Sequence, residues 1–138
     1  MTDSASVPAG DLATGVELGH RLVDGIIAHD WELVASCFAP EARFLAVVAN
    51  DTKPFREHVG GEAAAAAISR WFGDDDVTEL VASEVEAMAD RVRVSYRVHG
   101  HNPEDGWYLV EQMVYATPGP DGFQRVNLAC SGFRPAPT

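Results

Sequence analysis

Apolar and polar positions change period several times along this chain, and each change marks an element. From Asp11, a plausible N-cap, the residues Leu12, Val16, Leu22, Val23, Ile26 and Ile27 recur close to a helical stripe, although Gly15, Gly19 and Gly25 lower its intrinsic propensity. Such a helix exists only when it is packed against something else. Asp30 can cap a second, short helix with Trp31, Val34 and Phe38 on one face and Pro40 closing it, so two helices meet near His29. Glu41 to Ala49 reads as a strand, with Phe55 to Val59 as a short partner across the loop Asn50 to Pro54. Gly60 and Gly61 lead into an alanine-rich helix that ends in Trp71 and Phe72 and stops at Gly73. The acidic run Asp74 to Asp76 reads as a solvated loop, and residues 1–10 and 135–138 as tails.

The period then falls to two. Val77 to Ala89 reads as one strand, and Arg91 to His99 alternates Val92, Val94, Tyr96 and Val98 against Arg91, Arg93, Ser95, Arg97 and His99. Trp107 to Ala116 is apolar on both faces except at Glu111 and Gln112, and Phe123 to Phe133 resumes the pattern after the turn residues Pro118 to Gly122. Helix, helix, strand, strand, helix and then four strands in antiparallel succession predict an α+β fold. It has helices on one face of a curved, mostly antiparallel sheet, in a single domain over residues 11–134.

Glu111 is the most informative position, because a carboxylate in mid-strand must be paired, protonated or at an edge. If the HNPEDG connection pairs His99 with Tyr108, Tyr96 lies opposite Glu111; if Ala116 pairs with Gly122, Asn127 does too. Tyr96, Glu111 and Asn127 then form a polar row among Leu109, Met113, Tyr115, Val94 and Val98, an apolar cup with a few polar groups. The competing reading of Glu111 is an acid paired with a helix N-terminus or a partner's arginine, and that of Tyr96 is a packed phenol. His58 is either a proton shuttle at the cup's mouth or a satisfied loop residue. Trp31, Trp71 and Phe72 read as core, with Trp71 able to wall the cup, and Cys130 as buried packing. The same parity puts Tyr108, Val110 and Val114 on the opposite, outer face, which predicts a homodimer through that face.

Composition narrows the classes. With 21 acidic and 10 basic side chains the formal charge is −11, which argues against nucleic acid or an anionic membrane as a partner. No apolar run approaches the roughly 18 residues of a membrane span, and the N-terminus has no signal-like pattern. Cys37 and Cys130 form no metal-ligand spacing, so a reduced cytoplasmic setting is the simpler expectation, with no metal or cofactor called for.

Three stretches carry a resemblance: HDWELVASCFAPEARF, GGEAAAAAISRWF, and VEQMVY followed by DGFQRVNLACSG. In this order they resemble the nuclear transport factor 2-like superfamily, in its SnoaL-like and ketosteroid isomerase-like members. The resemblance implies a cone-shaped sheet wrapped around three helices and a pocket, adding Phe44 and Ala46 to its wall. It does not imply one activity, because the same cone hosts isomerases, cyclases, dehydratases, epoxide hydrolases and non-catalytic modules. The isomerase's general base falls on Ala46 and its first-helix tyrosine near Leu22, so both are missing; its second oxyanion donor falls on Glu111. The epoxide hydrolases' arginine and two aspartates are not evident either, since Arg93 and Arg97 lie on the outer face and Asp90 and Asp105 read as turn residues. Register and resemblance taken together lead to the expectation of a small enzyme doing cofactor-independent acid-base chemistry (isomerisation, cyclisation or dehydration) on an apolar, carbonyl-bearing molecule, with Glu111, Tyr96, Asn127 and His58 at work and Phe44, Ala46, Val94, Trp71, Met113 and Tyr115 lining the pocket. The alternative is a ligand-binding or subunit-assembly module of the same shape.

Overall fold

The computed structural model describes residues 7–48 and 55–137. Helix α1 (Ala9–Ala28) is followed by α2 (Trp31–Ser36), β1 (Phe38–Val48), β2 (Phe55–Val59) and α3 (Gly61–Phe72). Then come β3 (Val77–Met88), β4 (Arg91–Asn102), β5 (Gly106–Gly119), β6 (Gly122–Cys130) and a two-residue β7 (Arg134–Pro135). The expected loop Asn50 to Pro54 lies outside the described residues.

Helix α1 begins earlier than its pattern suggests. Pro8 occupies the N-cap without a side-chain cap, and Asp11 falls in the first turn, where its charge favours the positive end of the helix dipole. Of the expected N-terminal tail, residues 9 and 10 are thus helical. His29 ends α1 in the left-handed region at φ 55°, and Asp30 caps α2 by accepting from the Leu33 N–H at 3.1 Å. The glycines of α1 have a packing reason: a Cβ on Gly19 would lie 2.7 Å from Val85 and 3.0 Å from Val94, so the bare backbone lets the helix lie close on the sheet.

The sheet order is β2-β1-β6-β5-β4-β3, with β7 against β5. Neighbours are antiparallel except β1 and β6, which run parallel from Phe38↔Phe123 to Val48↔Cys130. The sheet is curved and unclosed, and the helices lie on its concave face. Alternation decides what the core receives: Val92, Val94, Tyr96 and Val98 from β4, Tyr108, Val110, Val114 and Ala116 from β5, and Phe44 and Ala46 from β1. They meet Leu22, Ile26, Val34, Ile68 and Phe72 from the helices, all at most 1% exposed. The C-terminal segment read as a tail is tied down, since Pro135 pairs with Tyr108 and the Ala136 N–H reaches the Trp107 carbonyl at 3.1 Å.

The register of the last strands differs from the expected one, by a single residue between β4 and β5 and by four between β5 and the body of β6, with large consequences. Asn102 pairs with Gly106 around a loop of odd length, held because the Asn102 Oδ1 accepts from the Glu104 and Asp105 N–H groups at 3.0 and 2.7 Å. His99 therefore faces Leu109, Tyr96 faces Gln112 and Arg97 faces Glu111. In the next hairpin Gly119 pairs with Gly122 and a shift follows at Thr117/Pro118, so Asn127 faces Tyr115. A one-residue slip exchanges the two faces of a strand. Tyr108, Val110 and Val114, expected outside, are buried on the concave face, and Leu109, Glu111, Met113 and Tyr115 take the convex one.

Candidate functional site

The structure does not bring the expected polar row together. Glu111 projects from the convex face and accepts from the Arg97 guanidinium at 3.0 Å, with both side chains nearly half exposed. There it borders an open groove of about 250 Å³ with Ser83, Glu84, Ser95 and Arg97. Asn127 shares that face, as do Met113 and Tyr115, whose hydroxyl lies 3.1 Å from the Met113 sulfur. Exposed pairs of this kind contribute little stability. Arg93 likewise meets Glu84 and Glu86 of its own chain, so the convex arginines have internal partners.

Of the expected site residues, Tyr96, Val94, Phe44 and Ala46 do face the concave side, each at most 2% exposed. His58 pairs with Phe44 on β2, its ring 6.1 Å away, but β1 and β6 separate it from β5. Trp71 is half-buried and packs against the core.

The interior polar residue is Gln112, one position beyond Glu111 and wholly buried. Its Oε1 accepts from the Tyr96 hydroxyl at 2.6 Å, and its Nε2 lies 3.5 Å from the Cys130 sulfur, which also receives the Gly132 N–H at 3.5 Å. Burial pushes the Tyr96 pKa far up, so the phenol stays neutral and serves as a hydrogen-bond donor. Gln112 was visible as an exception in an apolar strand, but only the register says which of two adjacent polar residues faces inward.

A second polar group lies further along the same face, joining Tyr108, expected on the outer face, to Asp75, expected in a solvated loop. Tyr108 sits two inward-facing positions from Gln112, about 13 Å along β5 at the usual rise. Its ring lies over Gly100, where a Cβ would come within 2.4 Å of it, and packs against Phe133 at 4.9 Å. The Tyr108 hydroxyl donates to Asp75 Oδ2, which also accepts from Thr78 Oγ1 at 3.1 Å, and Thr78 Oγ1 in turn lies 2.7 Å from His29 Nε2. Burial raises the Asp75 pKa above its ordinary value, opposed by the two hydroxyls and by His29. The expected solvated acidic run is therefore a structural corner. Asp76 also has a partner, His101 at 2.7 Å, whose hydrogen bond holds the Asp76 pKa down. Runs of aspartate carry no local signal for such contacts, which cross 33 residues from Asp75 to Tyr108.

Among the described residues, no group of three or more His, Cys, Asp or Glu side chains could hold a metal ion, and no helix is long and apolar enough to cross a membrane. Two concavities beside the helices are open grooves, one of about 540 Å³ around Phe38, Val59 and Gly61 and one of about 460 Å³ between Trp31, Ala35 and Ala66. Gln112 lines neither.

Comparison with known proteins agrees with this architecture. No curated protein matches the chain. Among solved structures, a candidate isomerase from Bacillus subtilis superposes with a TM-score of 0.72 at 14% identity, covering 88% of each chain. A candidate polyketide cyclase from Xanthomonas campestris pv. campestris gives 0.66 at 18% identity over 86% of this chain and 91% of that one. An NTF2-like protein from Burkholderia xenovorans LB400 gives 0.65 at 12% identity over 87% and 91%. At these identities the likeness is one of fold, but the SnoaL-like domain family matches residues 20–134 directly. With that match spanning most of the sequence, on the cone of sheet and helices described above, the chain belongs to the SnoaL-like domain family.

Proposed function

We propose that this protein binds a small, apolar, carbonyl-bearing molecule against the concave face of its sheet. The observation that carries the reading is the Tyr96–Gln112 pair, a buried phenol and amide with Val94, Val98, Val110 and Val114 on either side of them along β4 and β5. A buried polar pair in an apolar surround can orient a ligand carbonyl, because the Tyr96 O–H held by the amide oxygen fixes the direction in which the Gln112 N–H groups donate. Membership in the SnoaL-like family, and likeness to proteins described as a cyclase and an isomerase, support the same class. The chemistry in this proposal is cofactor-independent isomerisation, cyclisation or dehydration, with Glu111 taking no part because it points away from the ligand. Isothermal titration with 2-tetralone, an apolar ketone, tests it. We expect micromolar to millimolar binding that weakens about 5- to 100-fold in Tyr96→Phe, the range for leaving one buried polar partner unpaired. Equal affinity in the variant, or none in the native protein, sinks the reading.

A non-catalytic ligand-binding or assembly module is the second reading, and one observation favours it: Phe72 is wholly buried and Trp31 and Trp71 pack against the core, so aromatic side chains occupy space between helices and sheet. A homodimer through the convex face belongs to both readings. Its apolar residues are Leu109, Met113 and Tyr115, in place of the three that turned inward, with Val81 exposed at the irregularity of β3 beyond them. Light scattering at micromolar concentration should give twice the chain mass, and Leu109→Glu should restore the monomer. A monomeric native protein rejects the dimer. A cytoplasmic setting goes with this proposal and is supported by two buried free thiols, that of Cys37 pushed up to about 11 by burial.

A further inference from the structure

We propose that the trough between α2 and α3 docks a basic amphipathic helix of another protein, on a surface separate from the concave face and independent of what that face binds. The grooves of about 540 and 460 Å³ beside these helices share Glu32, Ala35 and Glu62, so they join into one trough. It runs from Pro40 and Val59 at one end to Trp31 and Ser69 at the other. Glu62, Ala65, Ala66 and Ser69 stand at i, i+3, i+4 and i+7 of α3 and therefore share one face of it. Gly61 keeps the floor low in the middle, because a Cβ there would overlap the Ala35 carbonyl oxygen.

The lining is apolar because its hydroxyls are satisfied within their own helices. Ser69 Oγ donates to the Ala66 carbonyl at 2.8 Å, and Ser36 Oγ to the Leu33 carbonyl at 2.6 Å. Glu32 and Glu62 are then the only charges of the lining, and among the described residues neither is in an ion pair. Each end offers an apolar anchor: Val59 is 59% exposed, and the half-buried Trp31 stacks on His29 at 5.5 Å. An open trough leaves a small molecule largely in water, whereas the apolar stripe of a helix covers it along its length.

Charge selects the occupant. Each copy of the chain carries a formal charge of −11, and its helices hold few cations: Arg21 alone on α1, Arg70 alone on α3 and no Lys or Arg on α2. None of them offers a basic amphipathic stripe, and a second copy would bring more carboxylates towards Glu32 and Glu62. Nucleic acid and anionic lipid are repelled for the same reason. What complements the trough is a helix with apolar residues on one face and Lys or Arg on its flanks, placed to meet the two glutamates.

The test titrates the whole chain with a synthetic amphipathic helix of leucine and lysine, about 14 residues long, and with its counterpart carrying glutamate for lysine. Calorimetry should show binding of the first and none of the second, with NMR amide shifts concentrated on α2 and α3. An acidic protein attracts any cation, so the variants must separate the trough from net charge. Glu32→Gln with Glu62→Gln should weaken binding about 3- to 10-fold more than Glu17→Gln with Glu104→Gln, which removes the same charge from exposed positions elsewhere. Ala66→Trp fills the trough from an exposed position at unchanged charge and should weaken binding at least about 10-fold. Val59→Ser, at the far end, should weaken it as well, and both variants should keep the native circular dichroism. Equal losses in the two double variants, or undiminished binding in both Ala66→Trp and Val59→Ser, would mean attraction by net charge alone and overturn the proposal, as would no binding by the native protein. If Ala66→Trp instead halves the mass seen by light scattering, the trough holds a second copy and the proposal of a different partner falls.

Discussion

Gln112→Ala is expected to lower stability by about 3 kcal/mol, whereas Glu111→Ala, one residue away, should change it by no more than about 0.5 kcal/mol. The first removes a side chain with no solvent exposure, leaves a cavity under the sheet, and deprives the Tyr96 hydroxyl of its acceptor. The second removes one end of a surface ion pair whose partners are 46% and 47% exposed. Gln112→Leu separates the two parts of the larger effect, because it restores most of the volume but still orphans the phenol; it should fall between, at about 1–2 kcal/mol. Urea unfolding of the four proteins reads all of this. Equal costs at 111 and 112, or a larger one at 111, would mean that β5 carries its side chains the other way round and that Glu111 belongs in the interior after all.

Gly122→Ala should cost still more, about 3–5 kcal/mol, by combining backbone strain with overpacking. Gly122 has φ +123°, a region that residues with a Cβ scarcely enter. A Cβ there would also stand 2.9 Å from the Ala39 nitrogen and the Phe38 carbonyl carbon, and 3.0 Å from the Cys37 oxygen. These are backbone atoms and cannot rotate aside. They belong to the start of β1, where the Phe123 N–H donates to the Cys37 carbonyl at 2.9 Å and the parallel pairing with β6 begins. Relief of the clash therefore means parting the two strands that join the first half of the chain to the second. Thermal unfolding should drop by roughly 10 °C or more. A loss below about 1 kcal/mol would show that the chain does not pass so close at this crossing.

Much of the fold was legible locally. Asp30 as a cap, Gly73 as a stop and the alternation of Val92, Val94, Tyr96 and Val98 each depend on neighbours within a few residues, and the structure keeps them all. The two-periodicity of β4 even named its buried face, because its polar positions are unambiguous. On β5 both faces are apolar apart from adjacent Glu111 and Gln112, so the pattern reads the same after a slip of one. The inward residue was then decided by the turn, where the Asn102 side chain binds two N–H groups and makes the loop odd. Asp75 is a harder case. Its sequence neighbours are acidic and its strongest contact is a phenol on another strand, so nothing within a window of local sequence distinguishes it from a solvated loop residue. By itself, then, the sequence determined the elements, their order and the family cone, since these follow from local periodicity and caps. Which polar groups face the interior, and which acid shares it with them, was decided only by tertiary structure, because strand register and contacts between distant residues depend on how whole elements close on one another.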